Sequence, residues 1–265
     1  MGYATTRLQQ LAPSLDQLTL NALADMYDGK ALLGTEDEKP IALDHITRMR
    51  PEQGAMLRQL MMDSSASRSL EVGFAYGFST LWMLDALRKH REAVHVAIDP
   101  FEKSSWRGVG LRQVENIRFE GKFKWIEDFS IHALSDLIRQ GEKFDFIYID
   151  GNHRFDDVIV DFYLCDQLAL PGTLIVLDDM WMQSIRAASN FIIANRSYRL
   201  EKQPIRNILV LRKLRDDDRS HLHFKRFLVP GDPLTNRFDR IIRKLIRRAI
   251  PKNYVEPLRQ WARKP

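Results

Sequence analysis

Residues 70–79 read Leu-Glu-Val-Gly-Phe-Ala-Tyr-Gly-Phe-Ser, a short apolar run that ends in a turn with two glycines. An apolar pattern with helical spacing follows, so this stretch predicts a strand, a tight turn and a helix. Gly73 and Gly77 carry no Cβ, which lets backbone N–H groups approach a ligand closely. A turn of this kind after a strand of a parallel sheet is typical of a nucleotide-type cofactor site.

Acidic residues follow three later apolar runs, each of which is predicted to be a strand. Asp99 ends the second strand, Asp150 ends the fourth, and the pair Asp178-Asp179 follows the fifth. Ligands of open α/β sheets bind at the carboxyl ends of the strands. We therefore expect these carboxylates to belong to one site, next to the glycine turn.

Predicted strands and helices alternate between residues 67 and 213, which indicates right-handed βαβ units. The last two strands, 198–203 and 207–212, are separated by Pro204-Ile205-Arg206 and predict a hairpin. The expected fold is α/β, Rossmann-like and doubly wound, with a mostly parallel sheet and an antiparallel terminal hairpin.

Three regions follow from this pattern: a helical N-terminal cap or substrate segment over 1–66, a cofactor-binding domain over 67–213, and a basic extension over 214–265. The extension contains a predicted amphipathic helix near 237–250, with an apolar face opposite six Lys and Arg residues. This helix could pack on the body, pair with a second copy as a homodimer, or make peripheral contact with an anionic membrane.

Charge is unevenly distributed along the 265 residues. Residues 219–265 hold 13 Lys and Arg against 3 Asp and Glu, a net charge of +10, so the rest of the chain carries −5 of the overall +5. An acidic body argues against a nucleic-acid partner. Cys165 is the only cysteine, and no run is apolar enough to span a bilayer or to act as a secretory signal. These features predict a cytoplasmic protein.

The combination of five segments resembles the class I S-adenosylmethionine-dependent methyltransferases. The segments are EVGFAYGFST (71–80), AIDP (97–100), IEDFS (126–130), FIYIDGNHRFDD (146–157) and GTLIVLDDM (172–180). More narrowly, they are similar to the small-molecule O-methyltransferases related to catechol O-methyltransferase and to the macrolide-sugar enzymes. The resemblance covers about residues 45–213 and implies a seven-stranded sheet with a reversed last strand, in agreement with the predicted hairpin.

The resemblance implies a cofactor, S-adenosyl-L-methionine, and the residues that bind it. Gly73 and Gly77 would line its methionine portion, Glu71 would anchor that end of the turn, and Asp99 would bind the ribose. Asp128 and Phe129 would border the adenine. The remaining expected cofactor-binding residues come from the turn and the fourth strand: Phe74, Ala75, Tyr76, Ser79 and Asp150.

The acidic residues after the fourth and fifth strands suggest a metal. In metal-dependent members of the family, residues at the positions of Asp150, Asp178 and Asp179 hold Mg²⁺, which prefers oxygen ligands. The alternative is that these carboxylates lie near the cofactor without a metal. His153, three residues after Asp150, stands where catechol-type members have a lysine general base; imidazole can accept a hydroxyl proton at neutral pH. We therefore expect Asp150 and His153 to be the catalytic residues.

The predicted function is methyl transfer to a hydroxyl of a small molecule or sugar, assisted by Mg²⁺. One alternative is a metal-independent methyltransferase of the same fold. Another is a non-catalytic cofactor-binding protein that its basic tail docks to a partner or a membrane. Trp106, Trp181 and Met182 are candidates for the wall of the acceptor pocket, although packing in the core explains them equally well.

Overall fold

The computed structural model describes residues 2–36, 39–44, 47–201 and 205–230. The basic amphipathic helix predicted near 237–250 lies outside the described residues. The helices are α1 Tyr3–Leu11, α2 Gln17–Tyr27, α3 Pro51–Ser64, α4 Phe78–Leu87, α5 Val109–Asn116, α6 Ser130–Arg139, α7 Phe155–Leu168 and α8 Gln183–Asn195. The strands are β1 Arg68–Val72, β2 Val94–Ile98, β3 Lys122–Ile126, β4 Phe144–Ile149, β5 Ala169–Leu177, β6 Tyr198–Leu200 and β7 Leu209–Lys213.

The seven strands form one sheet in the order β3-β2-β1-β4-β5-β7-β6. Strands β1 to β5 pair in parallel, whereas β7 runs antiparallel to both β5 and β6. The predicted fold class, including the hairpin at one end of the sheet, is confirmed. The register places Val72 beside Ile98 and Ile149, and Ile149 beside Leu177. The residues that follow these four positions therefore meet at one edge of the sheet.

Two apolar cores lie on opposite faces of the sheet. The first packs α4 and the N-terminal helices against the sheet, and the second packs α6, α7 and α8, including the buried Cys165. Helix α4 is buried at all ten of its positions. Its nearly continuous apolar sequence is that of a helix enclosed on every side, because it lies between the sheet and the N-terminal helices.

The N-terminal helices share a core with the sheet. Helix α3 packs on α4 where Gly54 meets the indole of Trp82, and a buried ion pair of 2.6 Å joins Arg58 to Asp85. Helix α1 has no counterpart among the predicted elements, because Ala4 and Leu8 are its only buried residues and the others are mostly polar. Helices α1, α2 and α3 thus form a layer over the sheet.

Two further local features differ from a simple reading of the sequence. Strand β5 begins at Ala169, earlier than the predicted Thr173, and its pairing with β4 shifts register between Phe144 and Phe146. The exposed Pro171-Gly172 pair lies in this irregular stretch. Within the described part of the chain, no helix is long and apolar enough to cross a membrane.

Candidate functional site

A cavity of about 500 Å³ opens at the carboxyl edge of the sheet. The loops that follow β1, β2, β3, β4 and β5 contribute to its wall. The segment 47–53, before and within the start of α3, covers one side. The residues that line it include Thr47–Met49, Gln53, Gly73–Tyr76, Ser79, Asp99–Phe101, Trp106, Phe129, Ser130, Asp150–His153, Asp178, Asp179 and Asn207. Trp106 is thus in the wall, whereas Trp181 and Met182 are not among its lining residues.

The glycine turn brings the end of β1 against the end of β4. Gly73 has a φ of +93°, and a Cβ built on it would lie 2.1 Å from the carbonyl oxygen of Asp150. Only glycine fits this combination of backbone angle and close approach. Gly77, with a φ of +81°, backs onto Gly110 outside the cavity wall. The two glycines therefore shape the turn from opposite sides.

Asp99 ties the loops after β1 and β2 together. One of its carboxylate oxygens accepts bonds from the backbone N–H groups of Phe74 (3.1 Å) and Ala75 (2.9 Å), and the other accepts from Phe101 (2.8 Å). Each carboxylate oxygen can accept more than one bond, so this side chain keeps acceptor capacity toward the cavity that it lines. Its position is compatible with the predicted ribose contact.

Glu71 does not line the cavity. Its side chain is fully buried beneath the turn, where it accepts hydrogen bonds from the hydroxyls of Ser79 and Thr80 at the start of α4. His95 Nε2 lies 3.3 Å from the same carboxylate, and His95 Nδ1 lies 2.7 Å from Ser69 Oγ. Because the Glu71 side chain is fully buried and does not line the cavity, its contacts join the end of β1 to the start of α4.

The predicted adenine border is only partly in the wall. Phe129 lines the cavity, and its ring meets that of Phe101 edge-to-face at 5.9 Å. Asp128 instead points along the surface, where it accepts a bond from the Phe129 backbone N–H (2.7 Å) and lies 3.1 Å from His132. The two phenylalanine rings, rather than the carboxylate, are placed to contact a flat apolar ligand.

Asp150, His153 and Asp179 form the cluster suited to a metal ion among the described residues. One ligand atom from each lies within 4.8 Å of the other two. His153 Nε2 is 3.3 Å from Asp179 Oδ2, and the indole N–H of Trp181 donates to Asp179 Oδ1 at 2.8 Å. Two carboxylates and an imidazole thus share a small volume in the cavity wall.

The sequence predicts Asp178 as a further metal ligand. It lines the cavity, but its oxygens accept bonds from Tyr148 Oη, from Gln53 Nε2 (3.1 Å) and from Asn207 Nδ2 (2.8 Å), as well as from the Asp179 backbone N–H. These donors hold Asp178 beside the cluster, and its role as a metal ligand stays a prediction. His153, expected to be the base, lies in the cluster itself.

Sequence reasoning did not find Gln53, Tyr148 or Asn207. Tyr148 could have been found, because it precedes Asp150 by two positions and side chains two apart on a strand share a face. Gln53 reaches Asp178 from α3, and Asn207 reaches it from the loop before β7. Contacts between segments so far apart in the chain leave no local signal in the sequence.

Burial and mutual repulsion raise the pKa of two carboxyl groups in this wall, those of Asp150 and Asp178. The pKa of Asp150 lies well above its usual range, first because of burial and then because of the charges of Asp178 and Asp179. Burial also raises the pKa of Asp178 to about 6, although the bonds from Tyr148 and the Asp179 backbone oppose this shift. A divalent cation would offset such repulsion, and the oxygen-rich donor set fits Mg²⁺.

Comparisons with known proteins agree with this geometry. A family model described as "Methyltransferase domain" matches residues 70–180. A catechol O-methyltransferase from Niastella koreensis is 27% identical over 172 residues, which cover 64% of this chain and 74% of that protein.

Solved structures show the same fold. An O-methyltransferase from Bacillus cereus in complex with S-adenosylhomocysteine superposes with a TM-score of 0.60 at 19% identity, over 79% of this chain and 96% of that one. The O-methyltransferase TomG from Streptomyces achromogenes, in complex with S-adenosylmethionine, gives 0.58 at 16% identity over 81% of this chain and 100% of that one. These solved structures share the fold of this chain, and the family match places a methyltransferase domain at residues 70–180, around the glycine turn and the acidic strand ends.

Proposed function

We propose that this protein transfers a methyl group to a hydroxyl of a small molecule, with His153 as the general base and with assistance from Mg²⁺. The observation that carries the proposal is the cluster of Asp150, His153 and Asp179 in the same cavity wall as the glycine turn. The catechol O-methyltransferase among the relatives supports a hydroxylated acceptor.

The cavity supplies position and proton transfer. The proposed cofactor, S-adenosylmethionine, carries an activated methyl group on a sulfonium. Methyl transfer then requires an oxygen nucleophile held in line with the bond from sulfur to the methyl carbon. His153 takes the hydroxyl proton; with Nε2–H donating to Asp179, the accepting atom is Nδ1. Asp179 fixes the orientation of the ring and stabilises the imidazolium that forms.

Asp150 and Asp179 are the residues that would hold Mg²⁺. A hard cation prefers their oxygens to an imidazole nitrogen, which leaves His153 available as the base. When bound, the ion lowers the pKa of a coordinated hydroxyl. Asp178, held by Tyr148, Gln53 and Asn207, keeps the start of the following loop in place.

Substitution of His153 tests the base. We expect His153→Gln to lower kcat with catechol by about 10²- to 10⁴-fold, while the Kd for S-adenosylhomocysteine stays within about twofold, since only proton transfer is lost. His221→Gln, which changes an exposed histidine outside the cavity, is the matched control and should leave both quantities unchanged. An equal loss of cofactor affinity and turnover would instead assign His153 to binding.

Removal of divalent cations tests the metal. Turnover of the wild type should fall to background in EDTA and recover on addition of excess Mg²⁺. Turnover of Asp150→Asn should not recover when Mg²⁺ is added. Activity that is the same in EDTA and in Mg²⁺ would favour the metal-independent methyltransferase and contradict this part of the proposal.

A further inference from the structure

The cavity wall has an uneven distribution of charge. Four carboxylates, those of Asp99, Asp150, Asp178 and Asp179, lie on the sheet side. Arg48 lies in the segment that covers the cavity. Among the described residues that line the cavity, no other lysine or arginine is present. Gln53, five residues later, bonds to Asp178, so the covering segment reaches the acidic wall. A single guanidinium thus faces a site that is otherwise acidic or neutral.

Arg48 is held in place by Tyr27 rather than by an opposite charge. Its guanidinium donates to the carbonyl oxygen of Tyr27 and lies 5.0 Å from the centre of the Tyr27 ring. Within the part of the chain that the structure describes, no carboxylate lies within ion-pair distance of it. A guanidinium has five N–H donors, and one of them makes the hydrogen bond to Tyr27. The others are left for a ligand.

Tyr27, which contacts the Arg48 guanidinium, is rigidly packed and uncharged. Tyr27 is buried, its ring packs against Phe78 at 5.0 Å, and its hydroxyl accepts a bond from the indole of Trp82 at 3.3 Å. Burial raises the pKa of Tyr27, so the phenol stays protonated and supplies no countercharge. A half-buried cation without a countercharge is costly to maintain, and an anionic ligand would relieve that cost.

We propose that Arg48 binds a carboxylate of a ligand in this cavity. Guanidinium and carboxylate match in a two-point, charge-assisted hydrogen bond, which fixes orientation as well as adding affinity. The carboxylate has two sources: the amino-acid end of the cofactor, or an acidic group on the methyl acceptor. The second source rests on the function proposed above, whereas the first requires only cofactor binding.

Calorimetric titration with two cofactor analogues tests the first source. 5′-Methylthioadenosine keeps the nucleoside and thioether of S-adenosylhomocysteine but lacks its carboxylate. We expect Arg48→Met to raise the Kd for S-adenosylhomocysteine by about 10- to 100-fold and to leave the Kd for 5′-methylthioadenosine within about twofold. Arg48→Lys should restore part of the loss. Retained binding of 5′-methylthioadenosine shows that the variant is folded.

Arg50→Met is the matched control. Arg50 is exposed, lies two residues away and does not line the cavity, so its substitution should change neither affinity. A similar loss in both arginine variants would point to the overall charge of the segment and would overturn the proposal for Arg48.

Titration with 3,4-dihydroxybenzoate and with catechol, both in the presence of S-adenosylhomocysteine and Mg²⁺, tests the second source. If Arg48→Met leaves cofactor affinity unchanged, it should weaken dihydroxybenzoate by about 10-fold or more and leave catechol within about twofold. The proposal is overturned if Arg48→Met leaves cofactor affinity unchanged and dihydroxybenzoate either does not bind the wild type or binds the wild type and the variant with equal affinity. These experiments measure binding and not turnover. A wild-type protein that binds the cofactor but transfers no methyl group would therefore contradict the proposed function and leave the proposal for Arg48 standing.

Discussion

The carboxylate of Glu71, which was predicted to anchor the cofactor end of the turn, is fully buried beneath that turn. Ser79, Thr80 and His95 surround it, and none of these side chains is more than 8% exposed. A buried carboxylate is tolerated only where donors replace water. Glu71 therefore links the sheet to the start of α4, and it accepts a bond from Ser79, which lines the cavity.

Removal of Glu71 should mainly cost stability. We expect Glu71→Ala to lower the free energy of unfolding by about 2–4 kcal/mol, because three buried donors lose their acceptor. Urea unfolding followed by circular dichroism measures the change. Glu127→Ala, at an exposed carboxylate that follows β3, should stay within about 0.5 kcal/mol of the wild type. Full stability with lost cofactor affinity would show that Glu71 contacts the ligand directly.

At the scale of elements, the contact between α3 and α4 controls how the covering segment meets the sheet. A Cβ built on Gly54 would lie 2.0 Å from Trp82 Nε1, so the two helices approach as closely as a glycine permits. The next residue toward the cavity, Gln53, bonds to Asp178. The spacing of two helices is therefore coupled to the orientation of a carboxylate in the site.

Gly54→Ala should force α3 and α4 apart. We expect a loss of about 1–3 kcal/mol in the free energy of unfolding, because the added methyl overpacks the contact. Turnover should fall as well, because Gln53 moves with the helix. Gln59→Ala, at an exposed position of α3, is the control for helix propensity and should have little effect on either quantity. Unchanged unfolding in Gly54→Ala would mean that the tryptophan ring moves aside freely.

At the scale of the whole molecule, the cavity joins loops from both halves of the sheet to the N-terminal layer. Its wall includes Gly73, Asp99, Asp150 and Asp178, each of which follows the last residue of a parallel strand. A ligand that contacts all of these loops binds the folded state alone, because they separate when the sheet unfolds. Ligand binding is thus coupled to global stability.

Thermal unfolding measures this coupling. S-adenosylhomocysteine at 100 times its Kd adds about 2.7 kcal/mol of stability, which should raise the Tm by about 5–10 °C for a domain of this size. Free methionine at the same concentration lacks the nucleoside and should leave the Tm unchanged. An unchanged Tm in saturating S-adenosylhomocysteine would contradict a cofactor site formed by loops from across the sheet.

Pairing with a second copy and contact with a membrane surface remain predictions of the sequence, as does a cytoplasmic location. The basic amphipathic pattern that motivates the first two lies beyond residue 230, outside the described part of the chain. The three regions predicted at 1–66, 67–213 and 214–265 are likewise proposals, although the shared core of α3 and α4 shows how closely the first two pack.

The sequence by itself determined the order of the elements and the edge of the sheet at which the site forms. Apolar periodicity marks strands and helices, and carboxyl ends of parallel strands meet at one edge. The strand pattern alone therefore assigns Asp99, Asp150 and Asp178 to one place. Turn chemistry likewise marked Gly73, where backbone angle and close approach demand glycine.

Only the tertiary structure decided which side chains face the cavity and which are occupied by neighbours. Glu71 is buried beneath the turn, Asp178 accepts bonds from Tyr148, Gln53 and Asn207, and His153 lies beside Asp150 and Asp179. These partners come from segments far apart in the chain. Local propensity sets the backbone path, but the donors available to a buried carboxylate depend on the packing of distant elements, because burial requires that every polar atom find a partner in three dimensions.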